Sequence, residues 1–131
     1  MNYRKRRTIV ITGGTGGIGL QSALGIARTG AKVIITGRNR ERGEEAQKRI
    51  VQEAKNPHVT LVIGDVSSVA GIDALAQDLL QQADHIDVLI NNAGYLGNER
   101  RHSEDGLEMH FAVNVLAPWR LSHLLLPALL K

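Results

Sequence analysis

The stretch TIVITGGTGGIG, residues 8–19, constrains what this chain can fold into more than any other. A short run rich in β-branched residues, Thr8 to Thr12, meets glycines at 13, 14, 16, 17 and 19. Apolar residues at helical spacing follow, at Ile18, Ala23, Ile26 and Ala27, and Gly30 makes a plausible stop. The β-branched run suits a strand buried on both faces. Glycine between a strand and a helix either serves a turn or lets another group approach the backbone closely. At the start of a helix the unpaired N–H groups and the dipole favour an anion, so a loop placed there suits a pyrophosphate. Two spacings overlap. Gly14, Gly16 and Gly19 read G-x-G-x-x-G, whereas Gly13, Gly17 and Gly19 behind Thr12 read T-G-x-x-x-G-x-G.

The alternation continues. KVIIT, from Lys32 to Thr36, reads as a second strand, and Asn39 to Ala54 as an amphipathic helix ended by Asn56 and Pro57. VTLVIG is a third strand, and Ser67 or Ser68 opens a helix running through Leu80. DVLINN, Asp87 to Asn92, is a fourth strand. Ser103 is expected to cap a last helix towards Lys131, with a kink or break near Ala117 because Pro118 follows it. Strands alternating with helices predict an α/β fold: a Rossmann-type doubly wound parallel sheet with right-handed crossovers, of order 3-2-1-4. Four strands are only part of a six-stranded sheet, and the fourth is expected to be an open edge.

The second strand bears on the cofactor. A dinucleotide fold selecting NAD usually carries Asp or Glu about twenty residues past the glycines, on the ribose 2′-hydroxyl. Here the strand ends TGRNR, with Arg38 and Asn39 and no carboxylate. A guanidinium can instead grip a 2′-phosphate through its planar fork, so NADP is favoured over NAD.

At 131 residues the chain is long enough for one domain with a real core and too short for two. With 3% aromatic residues it has no stacking platform for single-stranded nucleic acid. It has no cysteine, which excludes disulfides and thiolate metal sites and fits a reducing, cytoplasmic setting. The net charge of +3 owes much to RKRR at Arg4 to Arg7, so residues 1–7 read as a solvated basic tail rather than a nucleic-acid site. LSHLLLPALL is apolar but short and broken by Pro127, a core or interface helix rather than a membrane span.

With TGGTGGIG and NNAG both present, the chain resembles the short-chain dehydrogenase/reductase family from Thr8 onward. Asp65 in VIGDVSS and Asn114 in FAVNVLAP match two further motifs, and GLEMHFAVN looks most like the retinol-dehydrogenase-like branch. The resemblance implies a cofactor lying against Gly13, Thr15, Gly16, Gly17, Ile18 and Gly19 of the loop, and against Asp65 and Val66 after the third strand. Asn91, Ala93 and Gly94 after the fourth strand complete that set, with Arg38 and Asn39 for the 2′-phosphate. It also implies that Asn114 is one of a catalytic tetrad, that the last helix pairs with a second copy of the chain, and that the substrate is a small carbonyl or alcohol.

The same resemblance exposes a gap. The family's chemistry needs Tyr followed four residues later by Lys, and a Ser upstream. Tyr3 is followed by Arg7 and Tyr95 by Glu99. His102, His110 and His123 are widely spaced, with no metal-binding pattern. Residues 8–131 are thus expected to be the cofactor-binding portion of a truncated oxidoreductase, inactive alone. The alternative is a non-catalytic nucleotide-binding or interaction module that docks on a partner chain.

Overall fold

The computed structural model describes residues 5–131, so Tyr3 and most of the expected basic tail lie outside the described residues. Four strands, β1 (Thr8–Ile11), β2 (Lys32–Gly37), β3 (Val59–Ile63) and β4 (Val88–Ile90), form one sheet of order β3-β2-β1-β4. Every pairing is parallel, with Ile11 opposite both Ile35 and Ile90, and Ile35 opposite Leu61. The four glycine-, arginine- or asparagine-bearing loops therefore leave from one edge of the sheet.

The helices are α1 (Gly17–Ala27), α2 (Arg40–Ala54), α3 (Val69–Gln82), the single turn α4 (Met109–Phe111) and α5 (Ala117–Leu129). They cover both faces. Alternation along β1 and β2 sends Ile9, Ile11, Val33 and Ile35 into a core with Leu20, Leu24 and Ile50 of α1 and α2. Val10 and Ile34 point the other way, into a core with Ile72, Leu75 and Leu79 of α3 and Leu121 and Leu125 of α5. A strand buried on both faces has no polar side to display, which is why TIVI and KVII read as unbroken apolar runs. Asp73 of α3 takes a two-pronged grip from Arg120 of α5, at 2.7 and 2.9 Å, which fixes these helices against each other.

Two expected boundaries hold and a third moves. Of the two serines offered, Ser68 is the cap of α3, its Oγ accepting from Gly71 N at 3.0 Å, and α2 ends at Ala54 as expected, with Lys55 in the left-handed region before the Asn-Pro pair. The last helix does not start at Ser103. That residue is buried in a turn, where its Oγ accepts from Leu107 N, and the helical rod begins at Met109 with Glu108 as its cap. The carboxylate of Glu108 reaches two first-turn N–H groups and so outcompetes a serine five positions upstream. The expected kink near Ala117 takes the form of a π-helical segment, Ala112–Leu116, joining α4 to α5, with Ala117 N donating to Ala112 O. Pro118 has no N–H for the Asn114 carbonyl four residues back, and a widened turn absorbs that loss without breaking the rod. No helix among the described residues is long and apolar enough to cross a membrane.

Candidate functional site

The site is organised around Thr12, which is 2% exposed and sits where β1 gives way to the glycines. Its N–H donates to Ile90 O at 3.0 Å, and its Oγ accepts from Asn92 N at 3.1 Å and Ala93 N at 3.0 Å. The Asn92 side chain answers by donating from Nδ2 to Thr12 O and Gly13 O, both at 3.1 Å. Two loops from opposite halves of the sequence are thereby locked side by side. Asn92 does what the NNAG motif leads one to expect of its asparagines, bonding neighbouring backbone and holding loops together, whereas sequence reasoning does not mark Thr12, whose one signal is its fixed place at the head of the glycine motif. Asn91 anchors the same segment to α5 by donating from Nδ2 to Ser122 Oγ at 3.1 Å.

The glycines are used for different reasons. Gly13 has φ +66°, and a Cβ there would lie 3.0 Å from Ala93 Cα. A Cβ on Gly19 would run into the Gly13 carbonyl oxygen and Asn92 Nδ2, so that glycine lets α1 press against the locked loops. Gly37 gives way to Thr15, whose Cγ2 would be 2.6 Å from a Cβ at 37. Ile18 stands 80% exposed at the head of α1. Helix α1 starts at Gly16 with no side-chain cap and no acid in its first turn, whereas Asn39 caps α2 and Ser68 caps α3. Its leading N–H groups lie open at the glycine loop, the arrangement a phosphate needs. That uncapped helix, set against a loop in which Gly13 and Gly19 leave no room for a Cβ, fits the pyrophosphate of a dinucleotide.

The remaining predicted residues gather on the same edge. Arg38 is exposed directly after β2, and Asn39 beside it is committed to α2, its Oδ1 accepting from Arg42 N at 3.0 Å. Asp65 is exposed after β3 and closes a turn by accepting from Ser67 N at 2.9 Å. Val66, Thr12, Asn91, Ala93 and Pro118 line a narrow cleft between the ends of β1, β3 and β4 and the head of α5. Gly94 is less demanding than Gly13 or Gly19, since a Cβ there would only touch Asn114 Oδ1 at an ordinary 3.6 Å.

Asn114 lies on the π segment and behaves as a strand residue would. Its Oδ1 accepts from Tyr95 N at 2.7 Å and its Nδ2 donates to Tyr95 O at 2.8 Å. Both halves of the amide are spent on the loop after β4, not on the helix near Pro118. His110 is likewise occupied: Nδ1 faces Glu108 Oε1 at 2.6 Å, Nε2 accepts from Gly97 N at 3.2 Å, and the Tyr95 ring meets it edge-on at 4.9 Å. The His110 side chain, with the N–H groups of His110 and Phe111, holds the Glu108 carboxyl down to about 2. Among the described residues no three His, Asp or Glu side chains converge as a metal site.

A family model described as short chain dehydrogenase matches residues 7–131. Human retinol dehydrogenase 13 is 39% identical over 123 residues, covering 94% of this chain and 37% of that protein. Human dehydrogenase/reductase SDR family member 13 is 38% identical over 129 residues, covering 98% of this chain and 34% of that protein. The chain thus spans between a third and two fifths of the length of these curated relatives. Among solved structures, L-sorbose reductase from Gluconobacter frateurii complexed with NADPH and L-sorbose superposes with a TM-score of 0.82 at 30% identity, covering 95% of this chain and 48% of that one. The Pseudomonas aeruginosa RhlG/NADP active-site complex superposes with a TM-score of 0.78 at 31% identity, covering 93% and 47%.

Proposed function

Because the chain belongs to the short-chain dehydrogenase family, in its retinol-dehydrogenase-like branch, we propose that it is the cofactor-binding portion of an NADP-dependent oxidoreductase. The bound cofactor supplies or accepts the hydride exchanged with a carbonyl or alcohol substrate. The observation that carries this reading is the Thr12-centred lock beside the uncapped start of α1. The first-turn N–H groups of α1, reached over Gly13, Gly16, Gly17 and Gly19, hold the pyrophosphate. Arg38 takes the 2′-phosphate, and the end of β2 offers no carboxylate to oppose it. The RhlG complex with NADP and the sorbose reductase complex with NADPH agree with that choice.

Asp65 accepts from the adenine amino group and Val66 flanks the ring. Ala93 and Gly94 give the backbone close access to a ribose. Asn114 is a positioning residue, holding the loop after β4 through Tyr95. The proton-handling Tyr-x-x-x-Lys is not among these 131 residues, so we assign no proton transfer to this chain. A second copy of the chain packs on the exposed row Phe111, Val115 and Trp119 of the last helical rod. The test is direct: mixed with NADPH and a panel of aldehydes, the 131-residue chain binds the cofactor and leaves it unoxidised. Turnover by this chain alone would overturn that division of labour.

A further inference from the structure

Beyond Gly94 the chain makes an arch, Leu96 to Arg100, that leaves the same edge of the sheet as the cradle. Both feet of the arch are fastened to the last helical rod. Tyr95 gives its N–H and its carbonyl to the Asn114 amide, at 2.7 and 2.8 Å, and the Arg101 carbonyl accepts from Met109 N at 2.9 Å. The span between them is bare. Leu96 is 93% exposed, Asn98, Glu99 and Arg100 stand in solvent, and Glu99 meets Arg101 of the same loop at 3.7 Å. Among the described residues a single hydrogen bond ties this span to the body of the protein, from Gly97 N to His110 Nε2 at 3.2 Å. The packing around that bond is close. A Cβ on Gly97 would run into the Tyr95 hydroxyl, so the Tyr95 ring folds over position 97 while it meets the His110 ring edge-on at 4.9 Å.

The bond to Gly97 fixes how the ring is protonated. A backbone N–H can only donate, so Nε2 is bare, and the proton of the neutral ring lies on Nδ1, donated to Glu108 Oε1 at 2.6 Å. A second proton would go on Nε2 and set two donors face to face across 3.2 Å. The Nδ1 side would not change, because Glu108, held down to about 2 chiefly by the His110 side chain, accepts from either form of the ring. The other ionisable groups nearby leave Nε2 to Gly97. The Tyr95 phenol lies over Gly97, Glu99 pairs with Arg101, and Arg100 is exposed. His102 meets Glu108 through a backbone bridge, and the π segment that follows has no ionisable side chain.

We infer that His110 is the latch of this arch and that only its neutral form holds it, so that a second proton on Nε2 frees Leu96–Arg100 between its fastened feet and opens the mouth of the cradle. The latch follows from hydrogen bonding alone, whereas its effect on a bound dinucleotide rests on the cofactor reading above. An arch that swings at a mouth changes how fast NADPH enters and leaves.

Two readings, at about pH 8 and about pH 5.5, bracket the range in which imidazoles titrate. The first is amide-hydrogen protection of Gly97 in the native chain, His110→Gln and His110→Phe. Each rate is divided by that of an unstructured peptide at the same pH, and Tyr95 N–H serves as the reference. The native chain loses Gly97 protection by about tenfold at the lower pH, the size of one lost hydrogen bond. His110→Gln, whose amide oxygen accepts without titrating, keeps that protection at both pH values, and His110→Phe lacks it at both. Tyr95, held by Asn114, is unmoved throughout. The second reading is NADPH release by stopped flow. NADPH leaves the native chain and His110→Gln at equal rates at the higher pH, and leaves the native chain faster at the lower one. Equal Gly97 protection at both pH values in the native chain, or an equal fall in His110→Gln, overturns the latch. If Gly97 responds as expected but NADPH leaves both proteins at equal rates at the lower pH, the role at the cradle is overturned and the latch stands. If NADPH does not bind, the cofactor reading falls, while Gly97 still reports the latch.

Discussion

Thr12 spends one hydroxyl on two backbone N–H groups, those of Asn92 and Ala93, in a place that is 2% exposed. Valine has nearly the same shape and no acceptor, so Thr12→Val leaves the half-buried Ala93 N–H without its partner and Asn92 N with only its bond to Ile90 O. Losing a donor's partner costs on the order of 1–3 kcal/mol. The variant is expected to lose roughly 1–3 kcal/mol in denaturant unfolding, with Thr12→Ser recovering most of it. Unchanged stability in Thr12→Val would mean that the two loops are held together by something else. In the sequence this residue is visible only as the first letter of a glycine motif. Its partners lie about eighty positions away, and only parallel pairing of β1 with β4 brings them together. Gly13 and Gly19 are legible because a glycine's usefulness is local. What Asn114 bonds to is not, because nothing near it in sequence names Tyr95.

At the scale of elements, short buried strands and amphipathic helices are readable from their periods, and the sheet order follows from chirality rules. The start of the last rod is not. Ser103 is the better capping residue by type, but the chain from 102 to 108 first makes a turn and an isolated antiparallel bridge between His102 and Glu108, which moves the start to Met109. The resulting cap has a pH signature. Glu108 is held down to about 2 by the side chain of His110 and by the N–H groups of His110 and Phe111, against an ordinary 4.5. A carboxyl depressed in the fold stabilises above its unfolded value and loses that contribution as pH falls through the folded one. The stability advantage over Glu108→Gln is thus constant above about pH 5 and shrinks between about pH 4.5 and pH 2. Paired thermal melts across that range measure it, and a gap that stayed constant to acid pH would contradict the cap. Asp73, lowered by its bond from Arg120, and Asp87, lowered mainly by its bond from Thr8 N, act in the same direction in both proteins and cancel in the comparison.

The molecule as a whole is two cores separated by one sheet, with its loops of consequence on a single edge. Two features remain open to a partner. Among the described residues β4 pairs only with β1, and Trp119 is 65% exposed, its ring stacked 5.7 Å from that of His123. If a second copy covers that row, Trp119→Asp halves the mass seen by light scattering while leaving the single-chain melt largely unchanged. An unaltered mass would remove self-association through this helix. Composition alone does not settle which side of the last helix faces inward. The structure does, since Leu121, Leu125 and Ala128 are buried while Phe111, Val115 and Trp119 are not.

The central claim is that one edge of this sheet is a dinucleotide cradle, and amide chemical shifts followed during titration of the labelled chain with NADPH test it most directly. Such a cradle predicts saturable shifts confined to Gly13–Gly19, Arg38–Arg42, Asp65–Val66 and Ala93–Gly94, with the far edge of the sheet silent. Saturable shifts centred anywhere else, or none at millimolar NADPH, would contradict it.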